Sequence, residues 1–443
     1  MKNQAPGHSW QLTRFFVPLA LQATAQAFSH PLVAMVASRG HGGPLNLAGL
    51  AQSSTVMFFL GIFAIYYVTT GMVFAETREG YAVFWRVCIW TGLSIISVQA
   101  LLCIPTLSHL LFGWIIGLPP SIESPAQITF LTAVPLQFLF FFRIPYQVAM
   151  YNGRATGRAS LATMGRITLT AVLAYIFCII GWIGPIWAVI CLTIPVLLEL
   201  FISMVFAQPF LQQLPVGSEP APKASEIFFF NLPLAVGGFF LVFSIMILSA
   251  FMARAPEPEQ ILPIFFLAIG LANPMAFAAT RLQTVVLAFP SEDSTSKKTF
   301  RFSIGVGVVL GLLPLLFIMP GLIEFYYVTL QKLDPLHLDM VRITAISLVV
   351  FPFATALRAH SEGVAALNKK PIATLAGHGV YMMLVTVSGF LALVLGIPGY
   401  LIGSISLTLA NIISAYMIRV FFKWTHEGQI PVGETTTAVA QIR

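Results

Sequence analysis

Long apolar runs occupy most of the chain, and each is about as long as a bilayer is thick. A helix of roughly 20 apolar residues spans the hydrocarbon core of a membrane. Only 9% of the 443 residues are charged, whereas soluble domains carry about a quarter, so a water-soluble fold could not bury this much apolar surface. The runs predict an all-α polytopic membrane protein with twelve transmembrane helices at 13–37, 45–73, 83–106, 127–151, 159–182, 184–208, 226–252, 259–288, 301–323, 338–361, 371–396 and 398–422.

The basic residues predict the orientation of these spans. With the N-terminus in the cytoplasm, sixteen of the 23 Lys and Arg residues, Arg166 among them, fall in or beside cytoplasmic segments, four lie toward the far side and three lie inside helices. Positive residues collect in the cytoplasmic loops of membrane proteins. We expect both termini in the cytoplasm, a location in the cell (inner) membrane, and membrane lipids rather than nucleic acid as partners of the basic excess.

The two halves of the chain resemble each other. The first span begins with RFFVPLALQ and the seventh with FFNLPLAVG, and 215 residues separate Arg143 from Arg358. At the same offset NGRATGRASLA faces LNKKPIATLA, with about one residue of slippage. Parallel repeats of this kind are a transporter architecture. We predict two six-helix lobes related by pseudo-two-fold symmetry: an N-terminal lobe (1–212), a cytoplasmic linker (213–225), a C-terminal lobe (226–423) and a cytoplasmic tail (424–443).

The sequence shows no pattern of a catalytic or metal centre. It lacks a Gly-rich phosphate loop, a zinc-spaced histidine pair and a nucleophile elbow, and its four cysteines lie in apolar stretches. We expect a monomer that is not an enzyme and binds no cofactor and no metal. A gradient would then have to drive any active transport.

Three arginines lie deep inside predicted spans: Arg143, Arg281 and Arg358. An arginine at mid-depth costs at least about 2.5–3.5 kcal/mol on insertion scales, so three of them need a reason. We expect them to face a watery cavity between the lobes, where forked guanidinium donors suit carboxylates and phosphates. The alternative for each is a side chain that extends to the headgroups or caps a broken helix.

Further polar residues in or beside the spans are candidates for the same cavity. Besides the three arginines, we predict substrate contacts for Gln22, Gln26, Gln137, His360, Arg39 and Arg254. We predict a coupling or proton-carrying role for Glu199, His30, Glu362 and His378. The competing explanations are hydrogen bonds between helices, membrane anchoring for the two arginines at helix ends, and simple neutralisation of Arg358 by Glu362 at ion-pair spacing.

Four segments resemble the progressive ankylosis protein family of the multidrug/oligosaccharidyl-lipid/polysaccharide exporter superfamily. They are RFFVPL, GMVFAETR, TRLQTVVLAF and FPFATALRAHSEGVAALNKKP. The resemblance implies a twelve-helix exporter with a multidrug and toxic compound extrusion-like fold. It also implies rocking alternating access and polyanionic substrates: citrate and other carboxylates, nucleoside triphosphate and pyrophosphate.

The first span departs from those relatives. It carries no acidic residue and offers Gln22, Gln26 and His30 instead, so a coupling site in that helix does not carry over. Two other functions remain open at this point: a flippase or exporter of lipid-linked or drug-like substrates, and a receptor or scaffold that transports nothing.

Overall fold

The computed structural model describes residues 8–217, 220–252, 254–256, 258–290, 297–330, 333 and 335–427. Its first half, the N lobe, contains the helices α1 (His8–Ser38), α2 (Pro44–Leu60), α3 (Ile62–Phe74), α4 (Arg78–Leu102), α5 (Pro105–His109), α6 (Pro120–Thr132), α7 (Val134–Asn152), α8 (Thr156–Ile180) and α9 (Pro185–Gln212). The second half, the C lobe, contains α10 (Ala224–Met252), α11 (Pro258–Thr280), α12 (Leu282–Ala288), α13 (Lys297–Leu312), α14 (Leu338–Ser347), α15 (Val350–Leu367), α16 (Pro371–Val394) and α17 (Gly399–Glu427).

The described helices agree with the predicted all-α membrane fold. Ten spans are long and apolar enough to cross a membrane, with α2–α3, α11–α12 and α14–α15 each counted as one, and the bent pair α6–α7 makes an eleventh. Helix α1, with 31 residues, corresponds to the first predicted span. The twelve-helix, two-lobe layout is consistent with these spans.

Four spans that the sequence predicts as uninterrupted helices are broken. Gly61 separates α2 from α3, Arg281 separates α11 from α12, and residues 348–349 separate α14 from α15. At Ala133 the chain bends by 42° between α6 and α7. Glycine is a poor helix former, and Pro135, next after the first residue of α7, removes one backbone donor and crowds the preceding turn.

The register of the internal repeat is constant through the loops. Arg154 and Lys369, 215 residues apart, both adopt a left-handed backbone conformation, with φ of 54° and 55°. In both turns the next amide donates to the carbonyl five residues earlier, at 2.8 and 2.9 Å. The predicted slippage of one residue is therefore wrong, because the same turn closes both helix pairs with the same number of residues.

The two lobes pack together at one end of the molecule. We call the end at which α1 begins the near end, and the opposite one the far end. The largest buried apolar cluster lies in the near half and includes Phe15 and Tyr67 of the N lobe and Phe230 and Leu282 of the C lobe. In the far half, each buried cluster among the described residues belongs to one lobe. The structure is thus closed at the near end.

Candidate functional site

A buried carboxylate joins three helices inside the N lobe. Glu199 of α9 is fully buried and pairs with the guanidinium of Arg143 of α7. Arg166 of α8 reaches the same carboxylate oxygen at 3.2 Å, and the hydroxyl of Thr163 donates to the other oxygen at 2.6 Å. The carboxylate is satisfied on both oxygens, which buried charges require. We call Arg143, Thr163, Arg166 and Glu199 the N-lobe cluster.

Helix α1 adds two neutral hydrogen bonds to the N-lobe cluster. The Gln22 amide donates to the Thr163 hydroxyl at 2.7 Å, and the Tyr151 hydroxyl donates to the Gln22 carbonyl oxygen at 3.2 Å. Gln22, predicted to contact the substrate or to hydrogen-bond between helices, is buried. Its partners here are protein groups, so it fixes α1 against α8 in this conformation.

The N-lobe cluster keeps a surplus of positive charge. Two guanidiniums face one carboxylate, and the Nε atoms of Arg143 and Arg166 are buried without a hydrogen-bond partner. A buried donor that lacks an acceptor costs about 1–3 kcal/mol, more when it is charged. The N-lobe cluster therefore contains two buried donors that no acceptor of the described residues satisfies.

The C lobe contains a second cluster around Glu362. Its carboxylate lies 2.7 Å from Nη1 of Arg358 and 2.7 Å from Nε2 of His378. Nε of Arg358 donates to the Asn411 side chain at 2.8 Å. Arg358, Glu362, His378 and Asn411 are all buried, and we call them the C-lobe cluster.

The two clusters stand at equivalent places in the repeat but differ in chemistry. Arg143 matches Arg358, and Thr163 matches His378, each at the offset of 215. The acid lies on α9 in the N lobe and on α15 in the C lobe. One cluster pairs a carboxylate with two arginines, and the other pairs it with one arginine and a histidine. Of the two clusters, only the C-lobe cluster contains a histidine, a residue type that commonly carries protons in proteins.

The larger side chain of His378, compared with Thr163, is matched by a smaller residue on the neighbouring helix. The repeat equivalent of Gln22 is Gly237, and a Cβ on Gly237 would lie 2.6 Å from Nδ1 of His378. The N lobe thus pairs a long side chain with a small one, and the C lobe pairs no side chain with a large one. Nδ1 of His378 is buried without a hydrogen-bond partner.

Arg281 reaches the N-lobe cluster from the opposite lobe. It stands at the break between α11 and α12, and α12 packs against α1, α3 and α7. The charges of Arg281 and Arg143 both act on Tyr151, so the two arginines lie near the same tyrosine. Nε of Arg281 is buried without a partner, and no carboxylate of the described residues pairs with this arginine.

The repeat equivalent of Arg281 is a tyrosine. Tyr66 of α3 lies 215 residues before Arg281, and the charges of Glu362 and Arg358 act on it. Each cluster is therefore approached by one residue of the opposite lobe, an arginine on the N-lobe side and a tyrosine on the C-lobe side. The structure places Arg143 and Arg281 near the same tyrosine, Tyr151, and places Arg358 in the second cluster.

The remaining predicted substrate contacts lie elsewhere. His360 is buried, but its ring contacts Thr299 and Arg419, because two residues along a helix turn it about 200° away from Arg358. Gln137 donates to the Met57 carbonyl at 3.3 Å, next to the break at Gly61.

Of the other predicted site residues, Gln26 lies inside a span, and Arg39 and Arg254 lie at helix ends. Gln26 is half-buried in α1. Arg39 is exposed, and Arg254 is exposed and donates to the carbonyl of Ala250 in its own helix at 2.8 Å. The side chain of His30 lies outside the described residues.

Sequence reasoning missed Arg166. The count of basic residues assigns it to the near-end surface, and that assignment is wrong: it is 4% exposed and bonds Glu199. Arg166 is the eleventh residue of α8, about 15 Å along the helix axis. Its depth from the helix start is the signal that could have identified it.

No known family model and no curated protein matches this chain. Solved structures do. A MOP superfamily transporter from Pyrococcus furiosus, whose binding pocket is described as having reverse polarity, is 15% identical, with 95% of this chain and 96% of that chain covered and a TM-score of 0.75. A MATE family transporter in an outward-facing conformation is 14% identical over 95% and 96% of the two chains, with a TM-score of 0.76. A MATE transporter from Vibrio cholerae is 15% identical over 95% and 97%, with a TM-score of 0.73. The chain therefore has the fold of the MATE transporters of the MOP superfamily.

Proposed function

We propose that this protein is a secondary membrane transporter that carries organic or phosphorylated anions, and that the anion binds between Arg281 and the N-lobe cluster. The observation that carries the proposal is the surplus charge at this place. Arg143 and Arg166 bond a single carboxylate, Glu199, and the charges of Arg281, Arg143 and Glu199 all act on Tyr151, so three arginines and one carboxylate lie in this region of the described residues. A cation-binding exporter would need the opposite sign.

The position of Arg281 links anion binding to the relative arrangement of the two lobes. Arg281 belongs to the C lobe and Arg143 to the N lobe. An anion held by both would stabilise one relative arrangement of the lobes over another, and only such differential binding shifts a conformational equilibrium. Forked guanidinium donors bind carboxylate and phosphate oxygens in pairs, which favours multivalent anions.

The C-lobe cluster is the better place for a coupled proton. Glu199 is held by two arginines and a hydroxyl, so its negative charge is stabilised and it acts as a fixed counter-ion. Glu362 shares its hydrogen bonds with His378, whose protonation changes the charge of the whole C-lobe cluster. We assign proton coupling to Glu362 and His378, and we assign no coupling role to Glu199.

The finer assignments rest on the sequence. The resemblance to the progressive ankylosis family favours export of citrate, nucleoside triphosphate or pyrophosphate by rocking alternating access. The distribution of basic residues favours a cytoplasmic near end and a location in the cell membrane. Under that orientation the described conformation is closed toward the cytoplasm. The reverse polarity described for the pocket of the Pyrococcus furiosus transporter agrees with an anion site in this fold.

A proteoliposome experiment tests the proposal. Vesicles with the purified full-length protein are loaded with labelled citrate, ATP or pyrophosphate, and with a drug-like cation for contrast, and release is measured for wild type and Arg281→Gln. We expect anion release from wild type and at least about a tenfold reduction in the variant, the equivalent of one charged hydrogen bond. Arg342→Gln, an exposed arginine of the same lobe, serves as the matched control.

Two results would contradict the proposal. One is release of the cation but of none of the anions by correctly inserted protein. The other is equal anion release by the wild type, Arg281→Gln and Arg342→Gln proteins. Transport of a lipid-linked diphosphate in place of the soluble anions would move the assignment to the flippase alternative.

A further inference from the structure

A basic cavity lies at the near end, away from both clusters. Its volume is about 620 Å³. Three arginines line it: Arg14 of α1, Arg154 of the turn before α8, and Arg158 of α8. None of the three pairs with a carboxylate among the described residues, so the cavity has a net positive charge.

Aromatic rings hold two of these guanidiniums in place. The guanidinium of Arg154 lies 4.3 Å from the centre of the Phe289 ring, and that of Arg158 lies 5.3 Å from the centre of the Phe210 ring. Both rings line the same cavity. A guanidinium stacked on a ring keeps its N–H edges free. The rings therefore position the donors without using them.

The start of helix α8 also lies beside the cavity. Helix α8 begins at Thr156 without a side-chain cap, and its first residues, Thr156 and Gly157, line the cavity; a Cβ on Gly157 would meet only open space. The amide end of a helix favours phosphate and other anions.

The fold itself does not require this charge. At the offset of 215, Arg14 corresponds to Phe229 and Arg158 to Ala373, whereas Arg154 corresponds to the basic Lys369. The turn that both lobes share therefore explains the basic residue at Arg154. Arg14 and Arg158 have no basic equivalent in the C lobe. They lie on two different helices and meet at one cavity.

We propose that this cavity binds a phosphoryl group, from either a phospholipid headgroup or a free phosphorylated solute. Because Phe289 belongs to the C lobe and the other lining residues to the N lobe, the cavity is complete only when the lobes are closed at the near end. A ligand there stabilises that conformation by mass action. The site is separate from the transport site, and the inference does not depend on what Arg281 binds.

Thermal unfolding of the full-length protein in a neutral detergent tests the site. The protein is titrated with inorganic phosphate, with dioctanoyl phosphatidylglycerol and, as the uncharged comparison, with dioctanoyl phosphatidylcholine. We expect a saturable rise of Tm with phosphate or with phosphatidylglycerol, and an apparent Kd at least about tenfold weaker in Arg14→Gln/Arg158→Gln. Arg78→Gln/Arg86→Gln removes the same charge from exposed positions at or near the start of α4.

The arms of the titration separate the two sources of the phosphoryl group. Saturation by phosphate alone identifies a soluble ligand, and saturation by phosphatidylglycerol assigns a headgroup site. No saturable shift in wild type overturns the proposal, as does an equal loss of the shift in both double variants, because that loss would reflect the general surface charge.

Discussion

Arg154 of the N lobe stacks its guanidinium 4.3 Å from the ring centre of Phe289 of the C lobe. The repeat produces the same contact in the opposite direction: the ammonium of Lys369 lies 4.8 Å from the ring centre of Phe74. Both members of each pair are related by the offset of 215. Two equivalent cation–π contacts therefore cross the closed near end, one from each lobe.

Removal of both aromatic partners should loosen the near end. Each contact contributes about 0.5–1 kcal/mol at an exposed site, so Phe74→Leu/Phe289→Leu should shift the lobe equilibrium toward near-end opening by about five- to thirtyfold. Spin labels at Arg86→Cys and Lys298→Cys, in a background where the half-buried Cys103 and Cys178 are serine, would report longer distances by pulsed electron resonance. Phe138→Leu, which removes a stacked ring within the N lobe, is the control. An unchanged distance distribution in the double variant would refute the contact's role.

Glu199→Gln should destabilise the N lobe strongly. The substitution leaves Arg143 and Arg166 buried beside each other without their carboxylate. Removal of one partner of a buried ion pair costs about 3–5 kcal/mol, which thermal unfolding in detergent would show as a lowered Tm. Glu199→Gln/Arg166→Gln should recover part of that loss, because one surplus charge is gone. A double variant less stable than the additive sum would contradict the assignment of Glu199 as counter-ion.

His378→Thr should flatten the pH dependence of transport. It places at the C-lobe position the residue that the N lobe has at Thr163, and it removes the titratable partner of Glu362. The expected observation is a release rate that varies with pH between about 5 and 8 in wild type and stays constant in the variant. The control is His360→Gln, which replaces a buried histidine of the same lobe outside the C-lobe cluster. Its release rate should depend on pH as in wild type.

Gly237→Ala and Gly270→Ala should have opposite effects on stability. A Cβ at Gly237 would lie 2.6 Å from Nδ1 of His378, and such overpacking costs about 1–3 kcal/mol. At Gly270, in α11, a Cβ meets open space, and alanine is favoured over glycine in a helix by about 1 kcal/mol. Thermal unfolding should show a lower Tm for the first and an equal or higher Tm for the second. His378→Thr should rescue Gly237→Ala, and failure of that rescue would locate the crowding elsewhere.

Sequence reasoning succeeded where the cause is local. The apolar runs predict the membrane helices because the bilayer requires a certain length of apolar helix whatever lies beside it. The repeat pairs Arg143 with Arg358, and the structure indeed gives both the same place in their lobes, each bonded to a buried carboxylate. The helix breaks at Gly61 and Arg281 could not be predicted from the sequence, because glycine and arginine also occur inside continuous helices.

The pairing of the charges could not be predicted from spacing. The spacing of four residues predicts that Glu362 contacts Arg358 on the same helix, and the structure contains this contact. Glu199 and Arg143 are 56 residues apart and His378 and Arg358 are 20 apart, and nothing in the chain between them predicts that they meet.

The sequence by itself determined the membrane class, the helical spans and the two-fold internal repeat, because partition into lipid and turn length act on short segments of chain. Only the tertiary structure decided which carboxylate neutralises which arginine, that Arg281 is left without one among the described residues, and that the lobes close at the near end. Those outcomes depend on the rotation of each helix about its axis and on the helices it packs against, and neither is encoded in a single segment.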